Sequence, residues 1–187
     1  MRKVTGVWRG CKMVVNYGLG AGQKTDTVWD KMKNKKLDSV HKEISRYFEF
    51  LFDKGYKIRD SEYSPQHFGN WRVTLDSPEC VIEIYCDRNE LSIAFGSSDV
   101  NRKGRIGLGP MIYFLSREQN FIGSYKGNFF WGKKKQFKRL ASLLKEYINQ
   151  ITPYFGNDFQ KHEIDLMFAQ NKYNLSAVER YTPNTNN

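Results

Sequence analysis

Carboxylates and cations are the side chains of this 187-residue sequence whose types and spacing could do chemistry. A metal-dependent nuclease needs paired carboxylates and a lysine gathered at one strand end. Glu83, Asp87 and Glu90 come nearest to that arrangement, because they follow one another along a predicted strand and its turn. Solvated strand residues show the same pattern, and such a site is recognised only from its geometry. No catalytic residue is predicted, and a nuclease-like enzyme stays open as the second alternative function.

A glycine-rich stretch, Gly18 to Thr25, follows a short apolar run in the order that a phosphate-binding loop requires. In that motif glycine directly precedes Lys-Ser/Thr, so that the backbone amides and the lysine converge on phosphate. Here Gln23 separates Gly22 from Lys24, and the stretch is interpreted as a flexible linker. The three cysteines lack CxxC spacing, and the three histidines lack a ligand pattern. No cofactor or metal is therefore expected.

Basic residues provide a second chemical signal. The formal net charge is +10, and residues 1–36 hold nine Lys/Arg against two Asp, so most of the excess belongs to the N-terminal region. Nucleic-acid binding is the first alternative function, because other cations could join this region in one basic face while Tyr125 and Trp131 stack on bases. Those cations are Arg102, Lys103, Arg105, Lys133, Lys134, Lys135, Lys138 and Arg139. No RNP, helix-turn-helix or zinc-finger pattern accompanies them.

The element that positions most of these residues is the stretch Trp71 to Phe95, in which apolar and polar side chains alternate. Alternation with period two predicts strands that bury one face. Asp-Ser-Pro-Glu and Asp-Arg-Asn-Glu are turn-forming sequences between the strands. The sequence predicts an antiparallel four-stranded meander, followed by a surface loop at 96–109. The predicted strands are at about 56–63, 71–76, 80–86 and 90–96.

Helices are predicted to cover the apolar face of this meander, which gives an α+β fold. They are placed at about 37–54, 133–151 and 158–173. The first two carry apolar residues at spacings of three and four. In the third, Ile164, Met167 and Phe168 are expected to face inward.

The chain is expected to divide into a flexible, basic, glycine-rich arm at 1–36, one domain at 37–176 and a disordered tail at 177–187. It contains no apolar run of about 18 residues, so neither a membrane-crossing helix nor a membrane partner is expected. The N-terminus lacks the features of a secretory signal. The cysteines are interpreted as reduced thiols. The missing signal and the reduced thiols together predict a cytoplasmic protein.

Three segments between about residues 40 and 151 carry a resemblance to a known class. They are FEFLFDKGY, WRVTLDSPECVIEIYCDRNELSIAF and FKRLASLLKEYI, and the turn Asp87-Arg88-Asn89-Glu90 is their most distinctive part. This pattern resembles small bacterial cytoplasmic proteins of the polymorphic-toxin immunity type. The resemblance implies a binding protein without catalysis, with another protein, such as a toxin, as its partner.

A non-catalytic protein-binding module is accordingly the leading hypothesis, with inhibition as one form of it. Contacts are expected from Arg88 and Glu90 in the turn, from Tyr85 on the outer face of the sheet and from Trp131 in an aromatic segment. The alternative interpretation of the turn is an ion pair between Arg88 and Glu90 that holds only the hairpin.

Overall fold

A computed structural model describes residues 28–98, 104–117, 130–156 and 159–181. Within these ranges the protein is α+β, with five strands and five α-helices. In chain order they are α1 (Val28–Tyr47), α2 (Glu49–Asp53), β1 (Lys57–Ser64), β2 (Asn70–Asp76), β3 (Val81–Asp87), β4 (Glu90–Gly96), β5 (Ile106–Gly107), α3 (Leu108–Leu115), α4 (Lys133–Ile151) and α5 (Phe159–Tyr181). A 3₁₀ turn, Thr152–Tyr154, follows α4.

The strands form one open antiparallel sheet in the order β1-β2-β3-β4-β5, so the predicted meander is present with an additional edge strand. The fifth strand lies in the segment predicted as a surface loop. There Ile106 pairs with Phe95 and Gly107 with Ala94. A strand of two residues is too short to show an alternating pattern, which is why the sequence did not reveal it.

The apolar face of the sheet is covered by α1 and α4, as predicted. The ring of Phe137 in α4 lies between two other rings, with centroids 5.4 Å from Tyr47 of α1 and 6.2 Å from Trp71 of β2. Buried strand residues such as Ile84 and Ile93 complete this core. Burial of apolar surface, at about 25 cal/mol per Å², holds the helices on the sheet.

The first helix differs from its prediction at both ends. It begins at Val28 instead of Leu37, because residues 31–35 are exposed and so carry no apolar stripe for the sequence pattern to detect. It is also interrupted at Phe48 (φ −114°, ψ 27°), whose fully buried ring packs near Phe137. The predicted helix 37–54 is therefore two helices, and residues 28–36 of the predicted arm are helical. Residues 1–27, with the glycine-rich stretch, lie outside the described ranges.

The prediction for the last helix was wrong about its inner face. Ile164, Met167 and Phe168 are exposed, by 79%, 56% and 64% of their surface. The residues that α5 buries instead are Phe159, Leu166 and Ala169. They pack α5 against α3 and β5, so α5 does not lie across the apolar face of the sheet as predicted.

The same helix extends to Tyr181. Residues 177–181 are thus helical, although the sequence placed them in a disordered tail, and residues 182–187 lie outside the described ranges. No helix in the described part of the chain is long and apolar enough to cross a membrane.

Candidate functional site

The tight turn between β3 and β4 is held in place by Asn70 at the start of β2. The Asn70 side-chain amide donates to Asp87 Oδ1 at 2.6 Å, and its carbonyl oxygen accepts from the Arg88 backbone N–H at 2.9 Å. Arg88 and Asn89 have φ values of +45° and +70°, as the central residues of a type I′ turn require. This conformation aims the Arg88 guanidinium over the ring of Phe68, 5.7 Å from its centroid.

A buried glutamine joins this turn to the start of α4. Gln136 has no exposed surface. Its Oε1 accepts from the Leu91 backbone N–H at 2.9 Å, and its Nε2 donates to the carbonyls of Asn89 at 3.0 Å and Trp131 at 2.8 Å. The bond to Leu91 is buried and the other two are partly buried, so leaving the Leu91 amide unpaired would cost about 1–3 kcal/mol. Gln136 therefore fixes Trp131 beside the turn.

Sequence reasoning missed Gln136, although a signal for it exists. It stands four residues before Leu140 and eight before Leu144, and so belongs to the buried face of α4. A polar residue on an otherwise apolar helix face indicates a specific buried hydrogen-bond partner. Two of its three partners, Leu91 and Asn89, are 45 and 47 residues away in the chain and become visible only in the fold.

Cations surround the aromatic rings at this end of the sheet. Lys135 Nζ lies 4.5 Å and Arg139 Cζ 5.4 Å from the centroid of the Trp131 ring, both within cation–π range. Lys133 Nζ lies 5.9 Å from the Trp71 ring centroid and donates to Cys86 Sγ at 3.2 Å. We call this region the Arg88–Trp131 surface. It consists of Phe68, Arg88, Trp131, Lys133, Lys135 and Arg139.

The electrostatic field of α4 reinforces these cations. Gly132 precedes the helix without a side-chain capping bond, and the first turn contains three lysines and no acidic residue. The N-terminus of a helix already carries partial positive charge, so each nearby cation opposes helix stability by about 0.3–1 kcal/mol. The exposed Lys134 and Lys138 extend the charge along the helix. An anionic group at this position would offset the repulsion.

A trough of about 470 Å³ lies over the outer face of the sheet, next to this surface. Tyr85 lines it, and Asn70 and Asp87 connect it to the turn. Two ion pairs cross its floor. They are Arg72 Nη2 with Glu62 Oε2 at 3.0 Å and Arg105 Nε with Glu83 Oε1 at 2.9 Å. Two bordering atoms, Arg72 Nε and Gln170 Oε1, are buried without a hydrogen-bond partner.

Of the carboxylates considered for nuclease chemistry, Asp87 and Glu90 lie opposite each other in the hairpin, but Glu83 does not join them. Glu83 is paired with Arg105, while Asp87 accepts from Asn70. Four strand positions separate Glu83 from Asp87, which is about 13 Å along the strand. In the part of the chain that the structure describes, no group of three or more His, Cys, Asp or Glu residues could hold a metal ion.

The single basic face considered for nucleic acid is divided in the described structure. Lys133, Lys134, Lys135, Lys138 and Arg139 lie together at the start of α4. Arg105 instead crosses Gly96 at the far end of β4, about 20 Å along the strand from the turn. Arg102, Lys103 and Tyr125 lie outside the described ranges. Among the protein-binding candidates, Arg88, Glu90 and Trp131 meet around the turn, and Tyr85 lies in the adjoining trough.

The described cysteines, Cys80 and Cys86, are free and buried. Removal from water raises the pKa of the Cys80 thiol from 9.0 to about 12. A thiol that keeps its proton at neutral pH is a poor nucleophile. Cys80 therefore acts as a small apolar core residue.

The geometry thus combines a cation–aromatic surface with an adjoining trough, and it gathers no catalytic constellation in the described residues. Comparison of the chain with models of protein families, with curated proteins and with solved structures found no match.

Proposed function

We propose that this protein is a non-catalytic binding module that recognises an acidic partner protein through the Arg88–Trp131 surface. The observation that carries the proposal is the placement of Trp131 within cation–π range of both Lys135 and Arg139 at the cationic start of α4. Tryptophan and arginine are the residue types that most often dominate protein–protein binding energy. A carboxylate-rich segment would neutralise the cations and meet the positive end of the helix at the same time.

Preorganisation supports this proposal. Gln136 holds the backbone of Trp131, and Asn70 holds that of Arg88, so neither anchor needs a new backbone conformation on binding. Affinity improves when such ordering costs are met during folding. The trough beyond Asp87 offers further hydrogen-bonding atoms to a partner segment that continues across the outer face of the sheet.

The resemblance to immunity proteins leads to the same class of function. On that ground we propose a toxin as the acidic partner, inhibition as the consequence of binding and the bacterial cytoplasm as the location. The toxin partner, the inhibition and the location are inferred from the segments around FEFLFDKGY and the Asp87–Glu90 turn.

Single-stranded nucleic acid is the second candidate, and Phe130 is the observation that favours it. Its side chain is 90% exposed, it precedes Trp131 in the chain, and the exposed Lys134 and Lys138 follow in the first turns of α4. Bases stack on such rings while lysines follow the phosphates. Binding of this kind weakens steeply with salt.

Charge reversal on the proposed surface tests both candidates. The variant carries Lys135→Glu and Arg139→Glu, and the control carries Lys42→Glu and Lys145→Glu, which make the same change in net charge at exposed positions elsewhere. Each protein is immobilised and exposed to nuclease-treated extract of the source cells at about 150 mM salt. A fluorescent oligothymidine is titrated separately by anisotropy.

We expect the wild type and the control to retain the same acidic protein and the charge-reversed variant to lose it at least tenfold. Such a loss corresponds to about 1.4 kcal/mol or more. If the two variants captured equal amounts of the acidic protein, the Arg88–Trp131 surface would not be its binding site. Oligothymidine binding that persists at this salt and disappears only in the charge-reversed variant would favour the nucleic-acid candidate.

A further inference from the structure

The helix α5 exposes an apolar stripe that the described part of the chain leaves uncovered. Ile164, Phe168 and Leu175 are each more than 60% exposed, and Asn171 lies between them on the same side. We call these four residues the outer stripe. Met167, also exposed, lies at its edge. Contiguous exposed apolar residues of this size mark interaction sites on folded proteins.

The outer stripe is distinct from the face that holds α5 in the fold. Phe159, Leu166 and Ala169 are buried on the opposite side of the helix, against α3 and β5. Tyr173 continues this inner side and packs its ring 5.9 Å from Tyr113 of α3. The inner contacts therefore anchor α5 and leave the outer stripe available to another molecule.

The spacing of the outer stripe selects a helix as its partner. Its members follow one another at intervals of four, three and four residues, as at the a and d positions of a coiled coil. Phe168 and Leu175 take a positions, while Ile164 and Asn171 take d positions. A polar residue such as Asn171 within the seam restricts register and the number of strands.

Charges beside the stripe select a second copy of the same helix. Asp165 and Lys172 both take e positions, and both are exposed. In an antiparallel pair the e positions of the two helices face each other, so Asp165 of each copy would meet Lys172 of the other. The same register places Leu175 opposite Ile164 and Phe168 opposite Asn171. A parallel pair would bring these e residues to Met167 and Gln160, without opposite charges.

A groove beside the outer stripe is compatible with the antiparallel register. It has a volume of about 150 Å³ and is bordered by Met167, Gln170 and Asn171 of α5 together with Ile106 of β5. The antiparallel register brings Phe168 of the second copy to the layer of Asn171, next to this groove. Lys172 Nζ already lies 5.8 Å from the centroid of its own Phe168 ring, so the cation and the aromatic ring border the seam together.

From these observations we propose that two copies of the protein associate through antiparallel pairing of their α5 outer stripes. The contact buries both sets of apolar side chains and forms the Asp165–Lys172 pair twice, as the symmetry of a two-fold dimer requires. This surface is separate from the Arg88–Trp131 surface, so the dimer and the proposed partner binding are independent properties.

Sedimentation velocity of the full chain over its soluble concentration range measures this association. The wild type is expected to show a concentration-dependent dimer. Phe168→Asp puts a charge into the seam of each copy and should weaken dimerisation at least tenfold, with an unchanged circular dichroism spectrum. Met32→Asp is the matched control, because Met32 is similarly exposed on α1, and it should leave dimerisation unchanged.

Charge exchange tests the antiparallel register. Asp165→Lys and Lys172→Asp should each weaken the dimer, more strongly at low salt, because each creates two like-charge contacts. The double variant should restore it. A wild type that stays monomeric, or that only forms larger aggregates, would overturn the proposal. The proposal would also be overturned if Phe168→Asp dimerised as tightly as the wild type or did not fold. It would likewise be overturned if the double variant dimerised as weakly as the single variants.

Discussion

The helices α4 and α5 both carry apolar residues at helical spacing, but α4 has one apolar face and α5 has two. On α4 the predicted stripe from Phe137 to Ile151 is the buried face, and the opposite side is charged and exposed. On α5 Ile164, Phe168 and Leu175 are exposed, while Phe159, Leu166 and Ala169 are buried. Periodicity identifies the inner face of a helix only when a single stripe satisfies it.

The wrong choice on α5 has a physical cause. Between residues 164 and 169, Ile164, Met167 and Phe168 form a bulkier set than Leu166 and Ala169, so side-chain size there favours the exposed stripe. Packing was decided instead by the surface that α3 and β5 present, and there the small Ala169 allows a close approach. An exposed second apolar stripe of this kind is typical of a surface that binds another molecule.

One charge placed on each helix tests the assignment of the inner faces most directly. Leu144 of α4 has no exposed surface, whereas Phe168 of α5 is 64% exposed. Leu144→Asp buries an unpaired carboxylate and should cost at least about 4 kcal/mol. That is a large part of the stability of a domain of this size, so the variant should show no cooperative unfolding transition.

Phe168→Asp should change the free energy of unfolding by less than about 0.5 kcal/mol. Urea unfolding of both variants is followed by tryptophan fluorescence in dilute solution, where a dimer does not contribute. Loss of the folded state in Phe168→Asp, or a normal transition in Leu144→Asp, would reverse the assignment of the inner faces.

Neighbouring positions on α5 give a smaller and more local test. Leu166 is fully buried and Met167 is 56% exposed. Leu166→Ala leaves a cavity against α3 and should lower the free energy of unfolding by about 2–5 kcal/mol. Met167→Ala should change it by about 0.5 kcal/mol or less. The two values come from the same denaturation series, and equal losses would contradict two-sided packing of α5.

The sheet was predictable because its strands alternate and its turns have recognisable chemistry. The buried faces of β2, β3 and β4, from Trp71 to Phe95, agree with the pattern in the sequence. β5 and the start of α1 were missed for the opposite reason, because a two-residue strand and an exposed helical turn carry no periodic signal. The break at Phe48 depends on tertiary packing around Phe137.

The candidate site was predictable in its residue types and not in its arrangement. Arg88 and Trp131 were named for protein binding, and the α4 lysines for nucleic acid, but their convergence depends on Gln136, a link across 45 or more residues. The ion pair between Arg105 and Glu83 spans 22 residues and removes Arg105 from the basic face. Such distant pairings follow from strand order, which residue spacing alone does not specify.

The free energy of unfolding at alkaline pH should depend on a residue of the core beneath α4 and not on the outer stripe of α5. Burial raises the pKa of Cys80 from 9.0 to about 12, and burial likewise raises the pKa of Tyr56. Between these two pH values the unfolded chain loses the thiol proton while the folded chain keeps it, so stability falls as pH rises. Cys80 lowers the free energy of unfolding by at most about 1.4 kcal/mol per pH unit. Below about pH 9 this thiol does not change the pH dependence of the free energy of unfolding.

Cys80→Ala should therefore flatten the decline in unfolding free energy measured by urea titration from about pH 8 to about pH 10.5. Tyr56 keeps its own contribution, so a residual slope is expected. Phe168→Asp is the matched control, because its side chain is exposed on the outer stripe and its slope should equal that of the wild type. Identical slopes for the wild type and Cys80→Ala would show that the thiol is not desolvated. A flattened slope in Phe168→Asp would instead couple the outer stripe to the core, against the separation of the two faces of α5.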